Sequence, residues 1–216
     1  MLSMPFVIGQ NFETRNKKFG ILGGVNLQNL NGKDNNGDKL TNDMIIGYHF
    51  GVNVQIPLVP EFYLQPGLLF STKGAENSYG SLTGKYNLSY IELPLNFVYK
   101  GLLGNGHVML GFGPYAGYAI GGKSTIDYDN STIDQDIVFV KEVEEGDDYL
   151  IPYVKRFDAG GNIFAGYEFA GGLFFQVNAQ FGMLKINPVD NRSITVYSDE
   201  LAVYNRGFGL SLGYRF

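Results

Sequence analysis

The 216-residue sequence has no cysteine and no tryptophan, only two histidines, and only 17% charged residues. Without cysteine there are no disulfides and no thiolate metal centres. Nowhere do apolar residues run to the roughly 18 that a membrane-crossing helix needs, so this chain could span a membrane only as a closed β-barrel. The charged fraction falls below the roughly 25% usual in soluble domains. With 16 basic against 21 acidic residues and no basic patch, nucleic acid is not an expected partner. His49 and His107 are the only imidazoles, and neither sits in an evident triad with a serine and a carboxylate. We therefore expect no enzyme and no cofactor.

What the chain does have is glycine (30), tyrosine (15) and phenylalanine (17), arranged with a period of two. Eight runs place large apolar residues on one parity. They span about 19–28, 44–56, 62–73, 86–100, 107–121, 157–169, 173–183 and the closing 208–216. In the last, Phe208, Leu210, Leu212, Tyr214 and Phe216 alternate with Gly209, Ser211, Gly213 and Arg215. The second is the cleanest, with Met44, Ile46, Tyr48, Phe50, Val52, Val54 and Ile56 opposite Gly47, His49, Gly51, Asn53 and Gln55. Leu22 breaks the pattern of the first run. Pro66, Pro94 and Pro114 each remove a ladder donor inside a run, which predicts a bulge or broken pairing nearby.

The segments between runs alternate long and short: 29–43, then Pro57 to Glu61, 74–85, Gly101 to Gly106, 122–156, Ala170 to Gly172, and 184–203. Long loops on one side and tight turns on the other are the outer-membrane pattern, and an even strand count puts both termini at the periplasm. The fold expected is all-β: an eight-stranded antiparallel up-and-down transmembrane barrel. It forms one domain over 19–216, preceded by a tail or residual leader over 1–18.

Alternation alone leaves open which face is the interior. A soluble lipocalin-like carrier would line its interior with the apolar parity. Its polar parity would then face water and need Lys, Glu and Thr, where this chain has glycine. The apolar row therefore faces lipid. The lumen receives His49, Lys73, Glu92, Lys100, Asp158, Glu168 and Arg215, which should pair among themselves, with Arg215 a partner for Glu168 or another carboxylate. A filled lumen makes a plug; a narrow conducting pore is the contrary outcome. The closing row Phe208, Leu210, Leu212, Tyr214 and Phe216 reads as the assembly signal for the barrel-insertion machinery. Outer-membrane lipid is the surrounding partner, and the barrel is expected to be a monomer.

Two chemical motifs occur as decoys. Gly117 to Ser124 spells the phosphate-loop pattern, but the β-branched, turn-prone Thr125 to Asn130 follows where a helix is required. Asp34 to Asp38 spaces oxygens as calcium loops do, yet Lys39 stands where glycine is needed. The segment 122–156 holds nine acidic and four basic residues, a net charge of −5 that equals that of the whole chain. Within it, Asp136 to Lys141 and Tyr149 to Val154 are apolar enough to extend strands beyond the membrane as a hairpin. Its exposed edge could recruit an extracellular or secretion-system protein. Asp136, Phe139, Glu144, Asp148, Tyr149 and Tyr153 are the candidate partner-binding residues.

Four segments in order, Tyr90 to Lys100, Gly113 to Tyr118, Phe157-Asp158 through Gly166 to Phe169, and Leu212 to Phe216, resemble the PorT-type outer-membrane β-barrel family of Bacteroidota. The likeness spans 19–216 and includes Pro94 and Pro114. It implies an eight-stranded barrel made with a signal peptide, and an accessory role in protein secretion for some members.

Overall fold

A computed structural model describes residues 18–34, 36–129, 131–192 and 201–216. The expected tail or leader over 1–18 lies outside them except for Lys18. Eight long strands form a closed antiparallel ring: β1 (Phe19–Lys33), β2 (Ile45–Val54), β4 (Phe62–Tyr79), β5 (Leu82–Leu103), β6 (Gly106–Tyr128), β11 (Phe157–Phe169), β12 (Leu173–Gly182) and β14 (Ala202–Arg215). The short β3 (Ile56–Val59) continues β2 alongside β4, with a register shift between Pro57 and Val59 where the proline supplies no donor. Each strand pairs with its ring neighbours, β6 joins β11, and β1 joins β14.

Side chains follow the pleat. Outward rows run continuously from strand to strand: Tyr48, Val25, Leu210, Val177, Ala165 and Leu110 are successive partners. Such rows are exposed, Leu210 at 53% and Leu212 at 60%, while Asn26, His49, Lys73, Glu92 and Ser211 on the opposite parity are buried. The apolar parity therefore faces outward, and among the described residues the lumen offers no apolar cavity of the kind a lipocalin-like carrier would use. The lumen among the described residues holds a polar space of about 60 Å3. Leu22, out of step by composition, is on the lumen parity and packs inside with Val98, Met109, Phe164 and Phe174.

Aromatic residues mark two rims. Near the short turns lie Phe62 with Tyr99, Tyr167 with Phe169, and Tyr214 with Phe216, their ring centroids 5.0–5.3 Å apart. At the far rim are Phe50 with Phe70 and Tyr118 with Phe157. Between the rims, the ten-residue step from Val108 to Tyr118 at about 3.4 Å per residue and about 45° of tilt covers about 25 Å, the height of the apolar band of such barrels. Outward polarity then changes. Ser89, Lys123 and Arg206 follow Ile91, Ile120 and Phe208, and Arg206 stacks on Phe181.

Pairing lapses at the prolines as expected. The β4–β5 ladder skips from Pro66 opposite Leu95 to Leu69 opposite Glu92, and the β5–β6 ladder from Pro94 opposite Tyr115 to Phe97 opposite Phe112. A register shift follows between Ser89 and Tyr90. Two expected loops are corrected. Over 74–85 the chain stays in β4 and β5, turning only at Gly80 (φ 62°) and Ser81. The connection expected over 122–156 begins later, since β6 runs to Tyr128 and β7 (Ser131–Asp136) folds back on it. Both extensions pass the lipid band, where a strand no longer needs an apolar outward face. The apolar parity moves there from the outer face to the inner one, so the lipid-facing row that marks the membrane strands ends while the hydrogen-bonded ladder continues.

The remaining elements are two-residue strands: β8 (Val138–Phe139), β9 (Glu142–Val143), β10 (Tyr153–Val154) and β13 (Val189–Asp190). They pair as β8 with β10 and β9 with β13, both parallel. The expected antiparallel hairpin of 136–141 with 149–154 is thus replaced by a folded cap. Its apolar residues Ile137, Val143, Val154 and Ile186 are buried, and all but Val143 pack on Leu30, Leu88, Tyr90 and Ala119 in the barrel mouth. Burial of those side chains outweighs what a solvated hairpin edge would offer.

Candidate functional site: a charge-matched lumen beneath a folded cap

Small residues on the lumen parity let long ones cross the interior. A Cβ on Gly111 would overlap the Phe164 ring, and one on Gly213 the Phe174 ring, so these glycines make room for the two phenylalanines. This apolar layer separates two polar ones.

Toward the short turns, Glu168 receives Lys100 Nζ on Oε1 at 2.7 Å and Arg215 Nε on Oε2 at 2.9 Å. Arg215 also donates to Asn53 (2.8 Å), and Lys100 to Gln55 (3.2 Å), which in turn donates to Gln65. Toward the long loops, Lys73 Nζ lies 2.7 Å from Glu92 Oε1 and 2.9 Å from Asp158 Oδ2. Asp158 also accepts from Tyr115 (3.0 Å) and Asn205 (2.9 Å), and Gln180 donates to Glu92 (3.0 Å). His49 lies between the layers, with Nδ1 on Asn26 and Nε2 2.7 Å from Ser211 Oγ. The structure thus brings Lys100, Glu168 and Arg215 into one group and Lys73, Glu92 and Asp158 into another, while His49 joins neither. Three cations face three carboxylates, each at most 5% exposed. Isolated charges at such sites are untenable; matched and hydrogen-bonded ones are tolerated. Tyr115, Gln180, Asn53 and Asn26, on the polar parity of the expected runs, and Asn205, outside those runs, are further partners that sequence reasoning did not pair with these groups, and all lie on lumen parities. Their polarity was the available signal.

At the closing strand, Phe208, Leu210, Leu212, Tyr214 and Phe216 all point outward, and the Phe216 amide donates to the Phe19 carbonyl at 2.8 Å. Gly117 to Ser124 lies within β6 and leads into further strand, with no helix start for a phosphate. Asp34 Oδ1 accepts the amides of Asn36 and Asp38, capping its own loop.

The six candidate binding residues separate. Asp136, Glu144, Asp148 and Tyr149 are exposed; Phe139 packs against the mouth cluster with Arg156 over its ring at 4.8 Å. Tyr149 and Tyr153 flank Arg192, whose guanidinium carbon is 4.2 Å and 5.9 Å from their ring centres. Arg192 also binds Asp190 through Nη2 at 2.6 Å and Nε at 2.9 Å, and donates to the Asp148 carbonyl. This clasp ties the segment after Gly182 to the acidic one. The Arg192 hydrogen bonds hold the Asp190 carboxyl below its ordinary value. A carboxyl so depressed stabilises the fold above its unfolded pKa, and that contribution disappears as pH falls through the lower folded value. Limited proteolysis should therefore leave 141–156 protected at pH 7 and cut it faster below about pH 3.5, under the ordinary Asp value. Equal cutting at both pH values would dismiss the clasp.

The sequence model of the outer membrane protein beta-barrel domain matches residues 9–186. The chain belongs to that family. Its barrel is accordingly an outer-membrane barrel. No curated protein matches the chain. Two crystal structures of Ail, the attachment invasion locus protein of Yersinia pestis, are similar to it. One shares 11% identity at a TM-score of 0.39. The other, in complex with the heparin analogue sucrose octasulfate, shares 13% at 0.41; each likeness covers 93% of this chain and 99% of Ail.

Proposed function

We propose that this member of the outer membrane protein beta-barrel domain family is a closed barrel acting at its long-loop end by binding a protein partner. Both termini then lie in the periplasm, and the Phe208 to Phe216 row serves recognition by the insertion machinery. The carrying observation is a division of labour along the barrel axis. The lumen is filled by two ionic layers, whose three cations and three carboxylates balance only when taken together, and by two apolar clusters, whereas the strands and loops beyond the lipid band build a sheet and a cap. A solute path through buried ion pairs would have to break them, while the external surface is open to contact. An accessory role in protein secretion is the specific form that the PorT-type resemblance supports. Purified barrel in planar bilayers should show no stable unit conductance. Reproducible single-channel steps would overturn the closed-lumen reading.

A further inference from the structure

Beyond the lipid band, β5, β6 and β7 form a projecting sheet with two unlike faces. Successive cross-strand partners on its inner face are Leu82, Tyr128 and Ser131, then Gly84, Ile126 and Ile133, then Tyr86, Ser124 and Gln135, so its apolar side chains are interleaved with small polar ones. Leu82, Tyr86, Tyr128 and Ile133 are 43%, 37%, 55% and 55% exposed. The outer face is polar and internally paired: Thr125 donates to Asp134 at 2.7 Å, and Thr132 to Asp127 at 2.5 Å. At Gly84 an added Cβ would meet only the Asn77 carbonyl oxygen, at 3.9 Å, so a shallow notch lies between the apolar side chains. β7 pairs only with β6 among the described residues, leaving its second edge open. An apolar sheet face outside the lipid, beside an unpaired edge, is a surface shaped for a partner.

Charge selects the partner. Segment 122–156 carries a net −5, and its Glu144 and Asp148 are exposed, while Asp136 lies across from Lys123 on the outer face. A second copy of the chain, with the same −5, is repelled, as is an anionic lipid headgroup. We propose that the inner face of the β5–β6–β7 projection docks a cationic, amphipathic extended segment of a protein partner. Its apolar side chains lie on Leu82, Tyr128 and Ile133 and its basic ones toward the acidic segment. This rests on the loop-end binding reading above and names its contact surface and partner chemistry.

The test uses the full chain in phosphatidylcholine nanodiscs and a fluorescent peptide of alternating lysine and leucine, with empty nanodiscs as the blank. The alternating peptide should bind about tenfold or more tighter than its scrambled form. A double Leu82→Asp, Ile133→Asp variant should lose that preference, and Glu144→Gln with Asp148→Asn should weaken binding and flatten its salt dependence. Tyr128→Asp is a second, single-site disruption, and heat-shifted gel mobility shows that each variant is folded. Equal binding of scrambled and alternating peptides, or unchanged affinity in the folded face variants, overturns the proposal. A photo-crosslinker at position 133 or 149 in intact cells then separates the two readings. Adducts from 133 whose linked peptide is basic and alternately apolar support the proposal. Adducts from 149 alone leave loop-end binding standing and overturn the docking face. Adducts from neither position overturn both.

Discussion

Replacing Glu168 with alanine is expected to lower the unfolding free energy of the detergent-solubilised barrel by about 3–5 kcal/mol, the cost of breaking a buried ion pair from one side. Both Lys100 and Arg215 depend on this one carboxylate, and neither is more than 5% exposed. Its loss leaves two cations facing one another in a poorly hydrated layer, with the neutral Gln55 and Asn53 among what remains to them. Urea titration, reading the fraction of heat-modifiable folded band, measures the change. Glu168→Gln, which retains the volume and one acceptor oxygen but turns an amide donor toward the other cation, should separate the lost packing from the loss of charge and acceptor. A change under about 1 kcal/mol, the scale of a solvated surface pair, would mean that water already reaches these cations and the lumen is not closed.

The second large effect concerns the outer wall. Leu210 stands midway along the outward row of β14, between Tyr214 at the short-turn rim and Arg206 beyond the far one. Leu173, opposite Tyr214, stands at the rim itself. Leu210→Arg should destabilise the barrel in lipid vesicles by about 2–4 kcal/mol, and Leu173→Arg by about 0–1 kcal/mol, because the penalty for a charge depends on depth. Equal penalties at the two positions would remove the lipid band from where the aromatic rims place it. A similar outcome in detergent alone would be less informative, since a micelle adapts its thickness to the inserted charge.

The ring of strands is legible in the sequence because each strand meets hydrocarbon on one side and a narrow polar interior on the other, which imposes period two on residues such as Met44 to Ile56. Legibility stops where that asymmetry stops. Above Ser89 and Ile120, residues such as Asn87, Thr125 and Asp127 face water, and β5 and β6 continue with their apolar residues on the inner parity, out of phase with the lipid-facing row that marks the membrane strands. Leu22 looked like an error for the opposite reason: the lumen contains apolar layers as well as polar ones, so an inward leucine is in its place. The charged lumen residues could be assigned to the interior from parity alone. Which acid meets which base depends on the stagger between strands, fixed by ladders such as β4–β5 and β6–β11, and no local pattern encodes it. The cap was hidden most deeply. Ile137 and Val154 end apolar stretches that read equally well as a hairpin, Val143 stands among glutamates, and the pairings that fold the cap join strands only two residues long.

The ladder between β1 and β14 extends from Gly20 opposite Arg215 to Lys33 opposite Ala202, so the first strand of the ring is sealed by the last. Most other seams join hairpin neighbours and can zip locally as the chain arrives. This one must bring distant segments together, and the entropic cost of such a closure is met before its hydrogen bonds form. Maturation should accordingly proceed through a long-lived open sheet whose two free edges are β1 and β14. That interval, in which unpaired backbone and outward apolar rows are exposed together, is when the chain is most vulnerable to sticking to itself.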